Sequence, residues 1–225
     1  MTIIKKCTAT LVLTALIASV LALSGMHVCA ADDNQSPTDL PFTDIDKDDW
    51  FYNDVSYAWY LDVMNGISSD LFAPDMAASR AIIVTFLWRL AGKPTSGSDI
   101  GFNDVDDSSW YAEPVRWAAE NNIVLGYGDG TFGADDCVTR EQMAVLLYRY
   151  VKSTGGGFSD RWTFELDYVD AADIADYSYE AICWMTMNGI IGGLPGDVLD
   201  PRGEVTRAQV AAILHRFSEN VIKQD

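Results

Sequence analysis

A chain of 225 residues with 49% hydrophobic and 12% aromatic side chains is too rich in core-forming residues to be disordered. Its 33 acidic against 15 basic side chains give a formal charge of −18, which excludes nucleic acid as a partner, because phosphate binding needs a surplus of Lys and Arg. The same charge argues against docking on anionic lipid, so any anionic partner must be held locally, against the overall field.

In chain order, Met1–Ala30 comes first: Lys5 and Lys6, an apolar stretch from about Ala9 to Leu23, then small residues ending in Val28-Cys29-Ala30. This is the pattern of a secretory signal, cleaved after Ala30, and the apolar run is short for a membrane span. No membrane insertion is expected after cleavage. Removal takes Lys5 and Lys6 with it, so the remainder carries all 33 acids and a net charge of −20 instead of −18. Export permits disulfides, but Cys137 and Cys183 alone form no framework, and two unpaired residues are expected. Neither a zinc site nor any other metal or cofactor site is expected from so few ligands.

After a short linker (31–41) the chain repeats itself, the pattern to search for first. Residues 42–92 align with 102–152 at an offset of 60 without a gap: Phe42/Phe102, Asp44/Asp104, Trp50/Trp110, Gly66/Gly126, Phe72/Phe132, Arg80/Arg140 and Arg89/Arg149 coincide. A third copy covers 168–218, offset by 67 through its second half, with Asp170, Trp184, Gly193, Thr206, Arg207 and Arg216 in register. The spacers Lys93–Gly101 and Ser153–Asp167 read as linkers.

Each copy reads as helix, loop, helix. The apolar spacing predicts first helices over Tyr52–Met64, Tyr111–Asn121 and Tyr177–Met187, with Pro114 in the first turn. Second helices are expected to begin at Ser79, Thr139 and Thr206. Thr139-Arg140-Glu141-Gln142 and Thr206-Arg207-Ala208-Gln209 are capping boxes; Ile82 in the first copy cannot return the bond. A unit of about 50 residues buries too little alone, so the three copies are expected to share one core, in a mainly α fold.

The chain resembles the S-layer homology (SLH) family. The resemblance rests on Phe102-x-Asp104-Val105 ahead of Trp110, on Gly126-Tyr127-Gly128-Asp129-Gly130-Thr131-Phe132, and on Val138-Thr139-Arg140-Glu141-Gln142. Repeat 3 keeps Val205-Thr206-Arg207-Ala208-Gln209 but has Tyr177 for Trp; repeat 1 has Ser68-Ser69-Asp70-Leu71 for the Gly-Asp-Gly turn. The resemblance implies three helix-loop-helix repeats packed with pseudo-threefold symmetry. It also implies an exported cell-wall or cell-surface protein that binds secondary cell wall polysaccharide, resembling a pyruvylated N-acetylhexosamine polymer, in grooves between repeats. The Arg of the Thr-Arg-Ala-Glu-like motif is the implied anion contact, here Arg80, Arg140 and Arg207.

The residues carry two readings of those arginines. An Arg opposes the dipole at a helix start, whereas a guanidinium beside free helix N–H groups suits a carboxylate ligand. The other reading is an ion pair with Asp44, Asp104 and Asp170. Arg89, Arg149 and Arg216, late in their helices, complement the dipole and read as structural. Trp50 and Trp110 are candidates for stacking on a sugar, although an aromatic heading a helix is more often core. The Asp44–Asp48 segment is not an EF-hand, since Asp49 and Val55 stand where Gly and Glu are needed. His215 is expected to be packed, and with the repeats filling the chain no enzymatic activity is expected. A different reading, an adaptor whose repeats bind other protein chains, remains beside that of wall attachment.

Overall fold

The computed structural model describes residues 40–97, 101–159 and 162–222; the expected signal segment lies outside them. Six α-helices form, two per repeat: α1 (Tyr52–Tyr60), α2 (Arg80–Leu90), α3 (Ala112–Glu120), α4 (Arg140–Ser153), α5 (Tyr179–Met187) and α6 (Arg207–Phe217). Among the described residues a 3-10 turn (Ala171–Asp173), a π turn (Ser218–Ile222) and isolated β-bridges accompany them, so the fold is mainly α as expected. No described helix is long and apolar enough to cross a membrane.

The second helices start where their caps dictate. Thr139 and Thr206 accept from the backbone N–H of Gln142 and Gln209 at 3.3 Å, and each Gln side chain accepts in return from the cap backbone, at 3.0 and 3.2 Å. Ser79 accepts from Ile82 at 3.5 Å without the return bond, a weaker start because one donor is left outside the box.

The first helices are shorter than their apolar pattern predicts. α1 stops at Tyr60 instead of Met64 because Asp62 turns left-handed (φ 54°), as do Asn122 and Gly189 in the other repeats. Val63 and Met64 remain buried, but their N–H groups fold back to Ala58 O. A second left-handed position falls at Ala73, Gly133 and Asp200. For Ala this conformation costs about 1 kcal/mol or more, so Ala73→Gly is expected to raise stability by about 0.5 kcal/mol once the entropy of the unfolded chain is set against it; a denaturant melt measures it.

Each second helix packs on the first helix of the next repeat: α2 on α3, α4 on α5, and α6 back on α1. The repeats therefore close into a ring. At its axis, fully buried Ala78, Val138 and Val205 join in a cyclic set of backbone bonds, Ala78 N to Val205 O, Val205 N to Val138 O and Val138 N to Ala78 O, at 2.9–3.0 Å. One core runs through all three repeats, with Phe72, Phe132 and Leu199 at equivalent deep positions.

The second spacer is more than a connector. Phe158 and Trp162 stack at 4.3 Å and pack against the core, and the Phe158 N–H donates to Tyr148 Oη.

Candidate functional site

The conserved-looking Asp of each repeat is a backbone clamp. Asp44 accepts from Phe72 and Ala73 N–H, Asp104 from Phe132 and Gly133, and Asp170 from Leu199 and Asp200, all at 2.7–2.9 Å. Desolvation pushes the Asp104 and Asp170 carboxyls up, yet these backbone donors outweigh it and hold both below the ordinary carboxylate range.

The helix-start arginines grip the other side of the same peptides, always in the next repeat. Arg80 Nε donates to Phe132 O, Arg140 Nε to Leu199 O and Arg207 Nε to Phe72 O, at 2.6–2.9 Å. Arg140 and Arg207 add Nη2 bonds to Gly192 O and Asn65 O. The direct Arg–Asp ion pair is thus absent among the described residues; a shared peptide group stands between the two charges. Burial draws the Arg207 guanidinium down to about 10, against the pull of Asp44, and it remains a cation at neutral pH.

The expectation of free helix N–H groups beside the arginine is corrected. The first two donors of each second helix are taken by carbonyls of the next repeat: Arg80 and Ala81 by Asp136 and Ala134, Arg140 and Glu141 by Gly203 and Pro201, Arg207 and Ala208 by Met76 and Pro74. The third is taken by the hydroxyl cap. No anion can sit on the helix end itself.

What remains open is the flank of each second helix. A groove of about 390 Å³ lies along α6, lined by Trp50, Arg140, Gln209, Arg216 and the Ile191–Pro195 loop. Its counterpart along α4, lined by Tyr177, Arg80, Gln142 and Arg149, holds about 150 Å³. Each therefore draws residues from all three repeats: a second helix, the aromatic heading the next repeat, and the helix-start Arg of the preceding one.

The arginines that read as merely dipole-complementing, Arg149 and Arg216, line these grooves. Beyond the burial that lowers them, Arg140 is lowered further by Arg216, and Arg149 by Arg80. Among the described residues none of the four makes an ion pair, although the chain is strongly acidic. Asp200 and Asp170 act on Arg140 from a distance and support its charge, but no carboxylate lines either groove, so the paired guanidinium groups leave a locally cationic lining. Their pairing was hidden in sequence because each partner sits in a different repeat.

Trp50 and Trp110 are 64% and 62% exposed, so the core placement favoured for an aromatic at a helix head is corrected. The residue that follows, Phe51 or Tyr111, turns inward and braces the Trp edge-on at 5.3 and 5.2 Å. Trp50 walls the α6 groove. His215 stacks on Tyr57 at 4.0 Å with Nδ1 2.7 Å from Asp54, at the α6–α1 seam. Cys137 is exposed and Cys183 buried, both free thiols. Among the described residues no cluster of three potential metal ligands occurs.

The three repeats that build this ring match a known family in sequence. The S-layer homology domain model matches residues 41–81, 101–144 and 167–211, and the chain belongs to that family. It is 26% identical over 160 residues to the cellulosome-anchoring protein of Acetivibrio thermocellus, covering 69% of this chain and 35% of that protein. It is 25% identical over 162 residues to the surface-layer 125 kDa protein of Lysinibacillus sphaericus (71% and 13%). An endoglucanase of Bacillus sp. (strain KSM-635) is 25% identical over 223 residues (99% and 23%). The chain spans about a third or less of the length of these relatives.

Proposed function

We propose that the chain attaches at the cell surface by binding an anionic secondary cell wall polysaccharide, of the pyruvylated N-acetylhexosamine kind, in the α6 groove. The observation that carries this reading is the meeting of Arg140 and Arg216, neither in a direct ion pair among the described residues, with an exposed Trp50 in one cavity that no Asp or Glu lines. A pyruvate ketal presents a fixed carboxylate, which a guanidinium accepts through charge-assisted, bidentate bonds. The indole offers a flat apolar face for the sugar ring, and Gln209 a donor and an acceptor for its hydroxyl or acetamido groups.

Binding without hydrolysis is what this lining supports. Glycoside hydrolysis generally needs two carboxylates flanking the bond, and no Asp or Glu lines the groove. The names of the anchoring and surface-layer relatives accord with attachment.

A pull-down with purified wall, against wall stripped of its secondary polymer, tests the proposal. The protein is expected on the intact wall only, and Arg216→Ala should weaken capture about tenfold or more, the loss of one charged hydrogen bond, with an unchanged melting temperature. Equal capture by both walls would overturn the reading and favour protein–protein assembly instead.

A further inference from the structure

The three seams of the ring are built alike but are not equally usable, and the difference lies in a few side chains at equivalent positions. In the α6 groove the loop position under the guanidinium is Gly192 and the helix position beside it is Ala212. At the α4 seam the equivalents are Leu125 and Val145; at the α2 seam they are Asn65 and Thr85. Val145 lines the α4 groove where Ala212 lines the α6 groove, and the volume falls from about 390 to about 150 Å³. Only the larger volume lies within the usual range for small-molecule sites, roughly 300–1,000 Å³.

The polar contacts of the seams differ as well. At the α4 seam, Tyr177 donates its hydroxyl to Glu141, a 7% exposed carboxylate that also accepts from Ala175 N and Ser178 Oγ. The pinned ring forms one wall of that groove, with a buried carboxylate behind it. At the α2 seam, Arg89 Nη1 donates to Val63 O, and its charge is felt by Asp62. The residues of repeat 3 that stand where Glu141 and Asp62 stand are Ala208 and Gly189; Asp200 and Asp170 act on Arg140 from outside the lining of the α6 groove.

We infer that the chain is a monovalent binder: the α6 groove alone accepts an anionic sugar, with Gly192 and Ala212 as the positions that keep it open. This rests on the proposed function and goes beyond it, by fixing the stoichiometry and the residues that set it. Gly192 provides a clean handle. A Cβ built there meets nothing within 4 Å, and its backbone is not left-handed. A larger side chain at this rim position of the groove therefore meets open space without straining the fold, and the Gly192 carbonyl that Arg140 uses is retained.

The test is calorimetric titration of the mature chain with the methyl glycosides of pyruvylated N-acetylglucosamine and N-acetylmannosamine, beside the wall pull-down. One equivalent of the better glycoside is expected. Gly192→Leu should lower its affinity at least tenfold at unchanged melting temperature, whereas Arg149→Ala and Arg89→Ala should leave it within twofold. Two or three equivalents, or a Gly192→Leu protein that binds as the parent does, would overturn the inference while leaving polymer binding standing. Failure of both glycosides and of polymer-bearing wall alike would overturn both.

Discussion

Arg140→Ala is expected to lower the stability of the folded chain by about 3 kcal/mol or more. The guanidinium is 7% exposed and spans two repeats, bonding Leu199 O at 2.6 Å and Gly192 O at 2.9 Å. Truncation leaves the carbonyl of buried Leu199 short of a partner, at about 1–3 kcal/mol, and removes the charged hydrogen bond to Gly192 O at the groove rim, worth about 1.5–3 kcal/mol. For a folded unit of this size that corresponds to a fall in melting temperature of roughly 6–12 °C. Arg140→Lys should recover little, because a single ammonium cannot reproduce the fork that serves two carbonyls. Arg216→Ala is the contrast: exposed, with no ion pair among the described residues, it should shift the melt by less than about 1 kcal/mol. Thermal melts followed by circular dichroism compare the three. If Arg140→Ala and Arg216→Ala melt alike, the helix-start arginine does not hold the ring together.

A fragment ending near residue 158, with repeats 1 and 2 only, is expected to lose cooperative folding altogether. The helix pairs that bury the most are not those within a repeat: α6 covers α1 and α5 covers α4. Removing repeat 3 uncovers both at once, together with Val138 and Ala78 at the axis, whose cyclic bonds run through Val205. It also withdraws Arg207 from Phe72 O and the Leu199 carbonyl from Arg140. Apolar burial contributes about 25 cal/mol per Å², and a marginal net stability of 5–15 kcal/mol does not survive the loss of two of three seams. The fragment should show reduced helical ellipticity and a broad, non-cooperative melt. A sharp two-state transition in it would mean that the repeats fold as independent units.

The number of repeats, the mainly α class and the second-helix starts were legible in the sequence because each rests on local chemistry. Thr139 and Gln142 cap one another across three residues, and no distant contact is needed to read them. The ends of the first helices were not, because Val63 continues the apolar spacing while Asp62, one residue earlier, has already left the helix. Long-range roles were the least legible. Asp104 looked like a candidate ion-pair partner, yet its oxygens serve two amides 28 and 29 residues away. Arg216 fitted the dipole of its own helix, and that local sufficiency concealed its neighbour Arg140. The exposure of Trp50 depends on Phe51 taking the inward place, a choice between adjacent aromatics that periodicity alone leaves undecided.

The cyclic bonds among Ala78, Val138 and Val205 have an arithmetic consequence. In stacked-repeat proteins each unit contacts only its neighbours, and the array can lengthen by one unit at a time. Here every donor at the axis already has its acceptor, and α6 has already met α1, so a fourth copy would find no vacant berth. A lineage built on this plan can vary the side chains along its three seams while the axis stays closed. It can gain capacity only by acquiring a whole second triplet.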